Sequence, residues 1–168
     1  MNYNKIILWS VIVAFGGFIF GFDTAVISGA EQEIQNLWNL SDTMIGQTVA
    51  MALYGTIIGA LLGGFPSEAF GRKKTLLIVA ILFLISAIGS AFSPEVYSLM
   101  FFRFIGGLAV GASSVVAPMY ISEISPTNKR GQLTALFQFN IVLGILISYL
   151  SNYFIGGASD GNWRIMLG

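Results

Sequence analysis

Asp23 and Arg103 are ionisable side chains that stand inside long apolar runs. A charge at the centre of a membrane-spanning helix costs at least about 2.5–3.5 kcal/mol, so neither is expected to face lipid. Asp23 lies near the outer end of its run, and Arg103 lies a similar way into a run of opposite direction. At 1.5 Å per residue both sit about 8–10 Å below the same boundary. Opposite charges at matching depth can neutralise each other across a helix interface. The chemistry open to such a pair is proton transfer. A neighbouring cation favours a charged carboxylate, burial favours the neutral form, and local hydration decides between them. Protonation would release Arg103 and so couple a proton to a rearrangement. A permanent structural ion pair satisfies the same spacing.

Less specific polar residues accompany the pair. Gln138 lies early in a later apolar run, with Asn152 further along on nearly the same helical face. Phe20 precedes Asp23 by about one turn. Amides donate and accept hydrogen bonds and aromatic rings stack on sugar C–H faces, so these types suit a neutral, hydroxyl-rich ligand. Helix–helix hydrogen bonding by Gln138 and packing by Phe20 explain them equally well.

The elements that must position these groups are helices in lipid. Of 168 residues, 55% are apolar and 10% charged, against roughly 25% charged in soluble domains. Runs near the ~20 residues of a membrane span cover 6–28, 43–65, 75–92, 96–121 and 131–155, and a sixth starts near 162. They are too long, and lack the alternation, for strands. The first run exceeds a signal-peptide core and is expected to be a retained helix. Pro118 and Pro126 bracket Glu123 and mark the end of the fourth helix. Gly17 with Gly21, Gly55 with Gly59 and Gly63, and Gly107 with Gly111 form small-residue faces where helices can approach closely.

Charge sets the orientation. Lys5, Arg72, Lys73, Lys74, Lys129 and Arg130 fall at one end of the bundle, while Glu31, Glu33, Asp42, Glu95 and Asp160 fall at the other. The positive-inside rule puts the basic end, and the N-terminus, in the cytoplasm of a multi-pass protein of the cell membrane.

Gly21-Phe22-Asp23-Thr24-Ala25-Val26-Ile27-Ser28-Gly29 resembles the first-helix signature of the sugar porter family of the major facilitator superfamily. Gly71-Arg72-Lys73-Lys74 is similar to its loop motif, and Arg103 through Gly111 resembles its fourth-helix R-x-x-x-G pattern. Pro118-Met119-Tyr120-Ile121-Ser122-Glu123-Ile124-Ser125-Pro126 with Arg130-Gly131 resembles its P-x-Y-x-x-E-x-x-P-x-x-x-R-G signature. Gln138, Gly144, Asn152-Tyr153 and Trp163-Arg164 continue the likeness. It implies an all-α membrane fold of which this chain is the N-terminal half: five transmembrane helices plus the start of a sixth, without the C-terminal six-helix half. Inverted three-helix repeats would make helices one and four equivalent.

By the same resemblance Asp23 couples protons with Arg103 as partner, while Phe20 and Gln138 contact a monosaccharide or related polyol. Glu68, Arg72, Lys73, Glu123 and Arg130 form a cytoplasmic charge network that gates the outward-facing state. A topogenic basic loop is the plainer account of those bases. Where the family carries an Arg after its loop acid or amide, Glu68 is followed by Ala69, which weakens the expected latch. With the other half missing, the chain alone is expected not to transport.

Other classes are less well served. The absence of His and Cys removes the usual acid/base and thiol chemistry, and every Lys lies at a membrane end, away from any intramembrane Ser. No enzymatic activity, cofactor, metal site or nucleic-acid partner is expected. The alternatives within the membrane are an equilibrative facilitator or sensor in which Asp23–Arg103 is structural, and a non-transporting helper protein.

Overall fold

The structure, a computed structural model, describes residues 3–156 and 163–167. The helices are α1 (Tyr3–Leu37), α2 (Asp42–Leu62), α3 (Gly64–Phe70), α4 (Arg72–Ala91), α5 (Val96–Ile124), α6 (Arg130–Gly156) and α7 (Trp163–Leu167). Five of these, α1, α2, α4, α5 and α6, are long and apolar enough to cross a membrane. Asp160 and Asn162 lie outside the described residues.

Several helices outrun the apolar runs that mark them. α1 continues past residue 28 to Leu37. After Gly29 the segment has no Gly or Pro to stop it, and Ala30 and Ile34, one turn apart, are fully buried and carry the packing face onward. Glu31 and Glu33 therefore ride on helix, not on a loop. Asn39, with φ 49°, then turns the chain, helped by its tolerance of left-handed backbone. The Ser41 side chain caps α2 by accepting from the Met44 N–H at 3.3 Å.

At the basic end, Gly71 with φ 86° separates α3 from α4, a conformation that suits glycine. Arg72, Lys73 and Lys74 consequently occupy the first turn of α4 and not a loop. α5 passes through Pro118 and ends at Ile124, three residues beyond the apolar run and between the two prolines that bracket Glu123. A proline inside a packed span frees one carbonyl, whereas stopping there would strand a whole turn of backbone groups.

α5 is the centre of the bundle: 56% of its apolar window is buried, against 22–28% for the other spans. Elsewhere Leu61, Leu77, Phe92 and Phe139 stand exposed, as befits side chains whose solvent is lipid. Two glycine seams draw backbones together. A Cβ on Gly55 or Gly59 would strike the Phe104 or Leu108 carbonyl of α5, and one on Gly107 or Gly111 would strike Ala52 or Thr56 of α2. Across the other seam, Gly17 and Gly21 meet the Phe137 and Ile141 carbonyls of α6, and Gly144 meets that of Phe18. The first and fifth spans thus pair as the fourth and second do. Inverted three-span repeats require that equivalence.

Candidate functional site

The structure joins Asp23 of α1 to Arg103 of α5. Arg103 Nη1 lies 3.1 Å from Asp23 Oδ1, and the side chains are 3% and 21% exposed. The guanidinium also reaches the Asp23 backbone carbonyl, from Nη1 at 3.3 Å and from Nη2 at 3.2 Å. Its Nε is buried without a partner. A cavity of about 90 Å³ adjoins the pair, walled by Thr24, Ile27, Ala52, Leu53, Thr56 and Val110. Two threonines stand in its otherwise apolar wall, and its volume has room for water. The depth match holds although α1 runs on to Leu37, because the two side chains meet wherever the outer helix end falls.

Phe20 and Gln138 sit in different surroundings. Phe20 is half-buried between two apolar clusters, one with Ala117, Phe137 and Ile141 and one with Val79, Phe83 and Val110. Gln138 is exposed on α6 and makes no hydrogen bond among the described residues, so its amide is free for a ligand. Asn152 packs between helices. Its amide donates to the Val26 carbonyl at 3.2 Å and its side chain fills the space left by Gly29.

The charge network at the basic end is partly assembled. Arg72 pairs with Glu123 at 3.1 Å and donates to the Ser67 carbonyl at 2.9 Å, closing the end of α3. Lys73 leaves that network and lies over the Trp9 ring, 4.9 Å from its centroid. Glu68 and Arg130 are exposed and make no ion pair among the described residues.

Some functional contacts had no signature in the residues. The Asp23 carbonyl is backbone, and nothing in the sequence sets it apart from its neighbours. Thr24 and Thr56 were legible only as hydroxyls within apolar runs. Glu33, which accepts from the Trp163 N–H at 3.1 Å, ties the outer end of α1 to α7, with Trp38 edge-on to Trp163.

A multi-span α-bundle with paired inverted repeats and an ion pair inside the bundle beside a small cavity has the organisation of one half of the secondary-transporter fold. The family described as Sugar (and other) transporter matches residues 9–168, and the chain belongs to that family. It is 48% identical over 155 residues to the D-xylose transporter of Levilactobacillus brevis, covering 92% of this chain and 34% of the relative. It is 39% identical to the D-xylose-proton symporter of Escherichia coli K12, covering 96% of this chain and 39% of that protein. The chain thus spans little more than a third of the length of these relatives. Among solved structures, the proton:xylose symporter XylE bound to 6-bromo-6-deoxy-D-glucose superposes with a TM-score of 0.90 at 37% identity. That match covers 99% of this chain and 42% of the other. The partially occluded inward open form of XylE from E. coli gives a TM-score of 0.89, covering 99% and 46%. The protein is an N-terminal half of the major facilitator fold, a multi-pass membrane protein of a transporter family and not of an enzyme family.

Proposed function

We propose that this chain supplies the N-terminal half of a proton-coupled monosaccharide symporter of the cell membrane, working by alternating access with its basic end and N-terminus in the cytoplasm. The observation that carries this reading is Asp23, a carboxylate inside the membrane, held by a buried guanidinium and open to a small cavity with Thr24 and Thr56 in its otherwise apolar wall. Such a group can take a proton when the cavity faces outward and yield it when it faces inward. The relatives named for D-xylose and proton symport support a pentose or similar sugar as cargo. Gln138, exposed and unpaired, would donate and accept bonds to its hydroxyls, while Phe20 offers an apolar ring on the site-bearing helix.

The half is not competent alone, since a central site needs a second wall. An apolar groove of about 300 Å³ is lined by Ile12 and Ile19 of α1, Leu77 and Phe83 of α4, and Ala117 of α5. α7 packs on the same two helices, α1 and α4, and the groove between them would take the rest of a sixth helix. Arg72–Glu123 would latch the cytoplasmic face, with Lys73, Arg130 and Glu68 left to engage the other half.

A facilitator with a structural Asp23–Arg103 pair is the second reading, favoured by the bonds from Arg103 to the Asp23 carbonyl. Sugar uptake by a full-length transporter carrying this chain, measured with the proton gradient collapsed, separates them. Symport predicts loss of accumulation with equilibration retained. Undiminished accumulation rejects it.

A further inference from the structure

Of the contacts at the ion pair, one involves a group that titrates and two involve a group that cannot. The carboxylate Oδ1 accepts from Nη1 at 3.1 Å, and the peptide carbonyl of Asp23 accepts from Nη1 at 3.3 Å and from Nη2 at 3.2 Å. A carbonyl has two lone pairs, so it can serve both the α1 ladder and the guanidinium. Bonds from an ionised donor are about twice as strong as neutral ones.

The guanidinium is cut off from bulk water. It is 3% exposed and its Nε is already unpartnered. α2 offers Val49, Ala52, Leu53 and Thr56 around it. From α4, Ser86 donates its hydroxyl to the Phe102 carbonyl at 2.8 Å and keeps its lone pairs. On α6 the Asn152 amide nitrogen donates to the Val26 carbonyl, and its Oδ1 is buried without a partner. The cation of α7, Arg164, is bound to the Ala91 carbonyl at 2.9 Å. No second carboxylate faces the pair among the described residues. Release of Arg103 would bury an unpaired cation, which is costlier than keeping two charge-assisted bonds.

We infer that Arg103 is a positioning residue whose guanidinium locks α5 to the Asp23 backbone carbonyl, and that this lock persists when the Asp23 carboxyl is neutral. Proton binding then frees the carboxyl and not the guanidinium. The carboxyl can turn toward the cavity at Thr24 and Thr56, while α1 and α5 stay one rigid body. This rests on the symport reading for the identity of the protonated group, and it replaces the expectation that protonation releases Arg103.

The test uses Asp23→Asn as a permanently neutral carboxyl and does not depend on transport. The purified chain in detergent is unfolded thermally as wild type, Asp23→Asn, and Asp23→Asn with Arg103→Met. The lock predicts that the double variant melts below Asp23→Asn by about 2–4 °C or more. Failure of the double variant to fold where Asp23→Asn folds is the same result in larger measure. Equal or higher stability of the double variant overturns the lock, because a guanidinium held only by the carboxylate is a liability once that charge is gone. Failure of Asp23→Asn itself to fold overturns it too.

A second readout follows helix position. The chain has no Cys, so spin labels can be placed at Ser28→Cys on α1 and Tyr97→Cys on α5, both exposed. The lock predicts the same distance and width in wild type and Asp23→Asn, and broadening on adding Arg103→Met. Broadening in Asp23→Asn alone contradicts it. Loss of sugar-coupled proton flux with an intact lock bears on the transport reading only.

Discussion

Among the described residues the bundle holds two Arg–carboxylate pairs with the same 3.1 Å separation and different surroundings. Arg103–Asp23 lies within the bundle, its side chains 3% and 21% exposed, whereas Arg72–Glu123 lies at the basic end, at 27% and 46%. Distance therefore says little about what each does. In the first pair the guanidinium lies away from bulk water and is the only cation at the carboxylate among the described residues, so removing it leaves Asp23 unpaired. In the second, water can replace either partner, so the pair is cheap to make and to break. A contact that must open and close in each cycle belongs in the second setting. A contact that must hold its geometry while one partner gains a proton belongs in the first.

Substitutions sharpen this contrast in a definite order. Arg103→Met with Asp23 intact should be the most damaging, losing about 3–5 kcal/mol by leaving a carboxylate unpaired; thermal unfolding in detergent reads it. Asp23→Asn should cost less, about 1–2 kcal/mol, since an amide oxygen still accepts from Nη1 and the carbonyl bonds remain. A cost equal to that of Arg103→Met would mean that the carboxylate alone holds the guanidinium. Arg72→Gln should fall within about 1 kcal/mol, because the pair is partly solvated. A larger loss would move it into the same class as the buried pair.

Smallest of all is the effect of salt. Raising ionic strength from about 0.1 to 1 M shortens the screening length from about 10 to 3 Å. The cost of Arg72→Gln should shrink toward zero across that range while the cost of Arg103→Met stays put. Equal salt sensitivity would erase the distinction.

The residues disclosed the buried pair more fully than the surface network, for the same physical reason. A charge inside an apolar run has so few tolerable environments that its partner can be inferred from depth alone, and Asp23 and Arg103 do meet. A charge at a membrane end has many, and Lys73 turning to Trp9 while Arg130 and Glu68 stand unpaired follows from local geometry that no spacing encodes. Element ends divide similarly. Hydropathy marks where lipid begins, not where a helix stops, so α1 ran on through Glu31 and Glu33 and α5 to Ile124. Asn152 was legible as a polar group in a span, but its use was set by Gly29 opposite, a feature of the folded pair. The carbonyl of Asp23 was invisible because every residue has one.

The most direct measurement is sugar-driven proton uptake into proteoliposomes by a full-length transporter carrying this chain, compared between Asp23→Asn and Arg72→Gln. The account predicts that Asp23→Asn abolishes proton uptake while sugar exchange continues, and that Arg72→Gln changes the rate but leaves protons coupled to sugar. Proton uptake that survives Asp23→Asn, or that is uncoupled by Arg72→Gln instead, would contradict it.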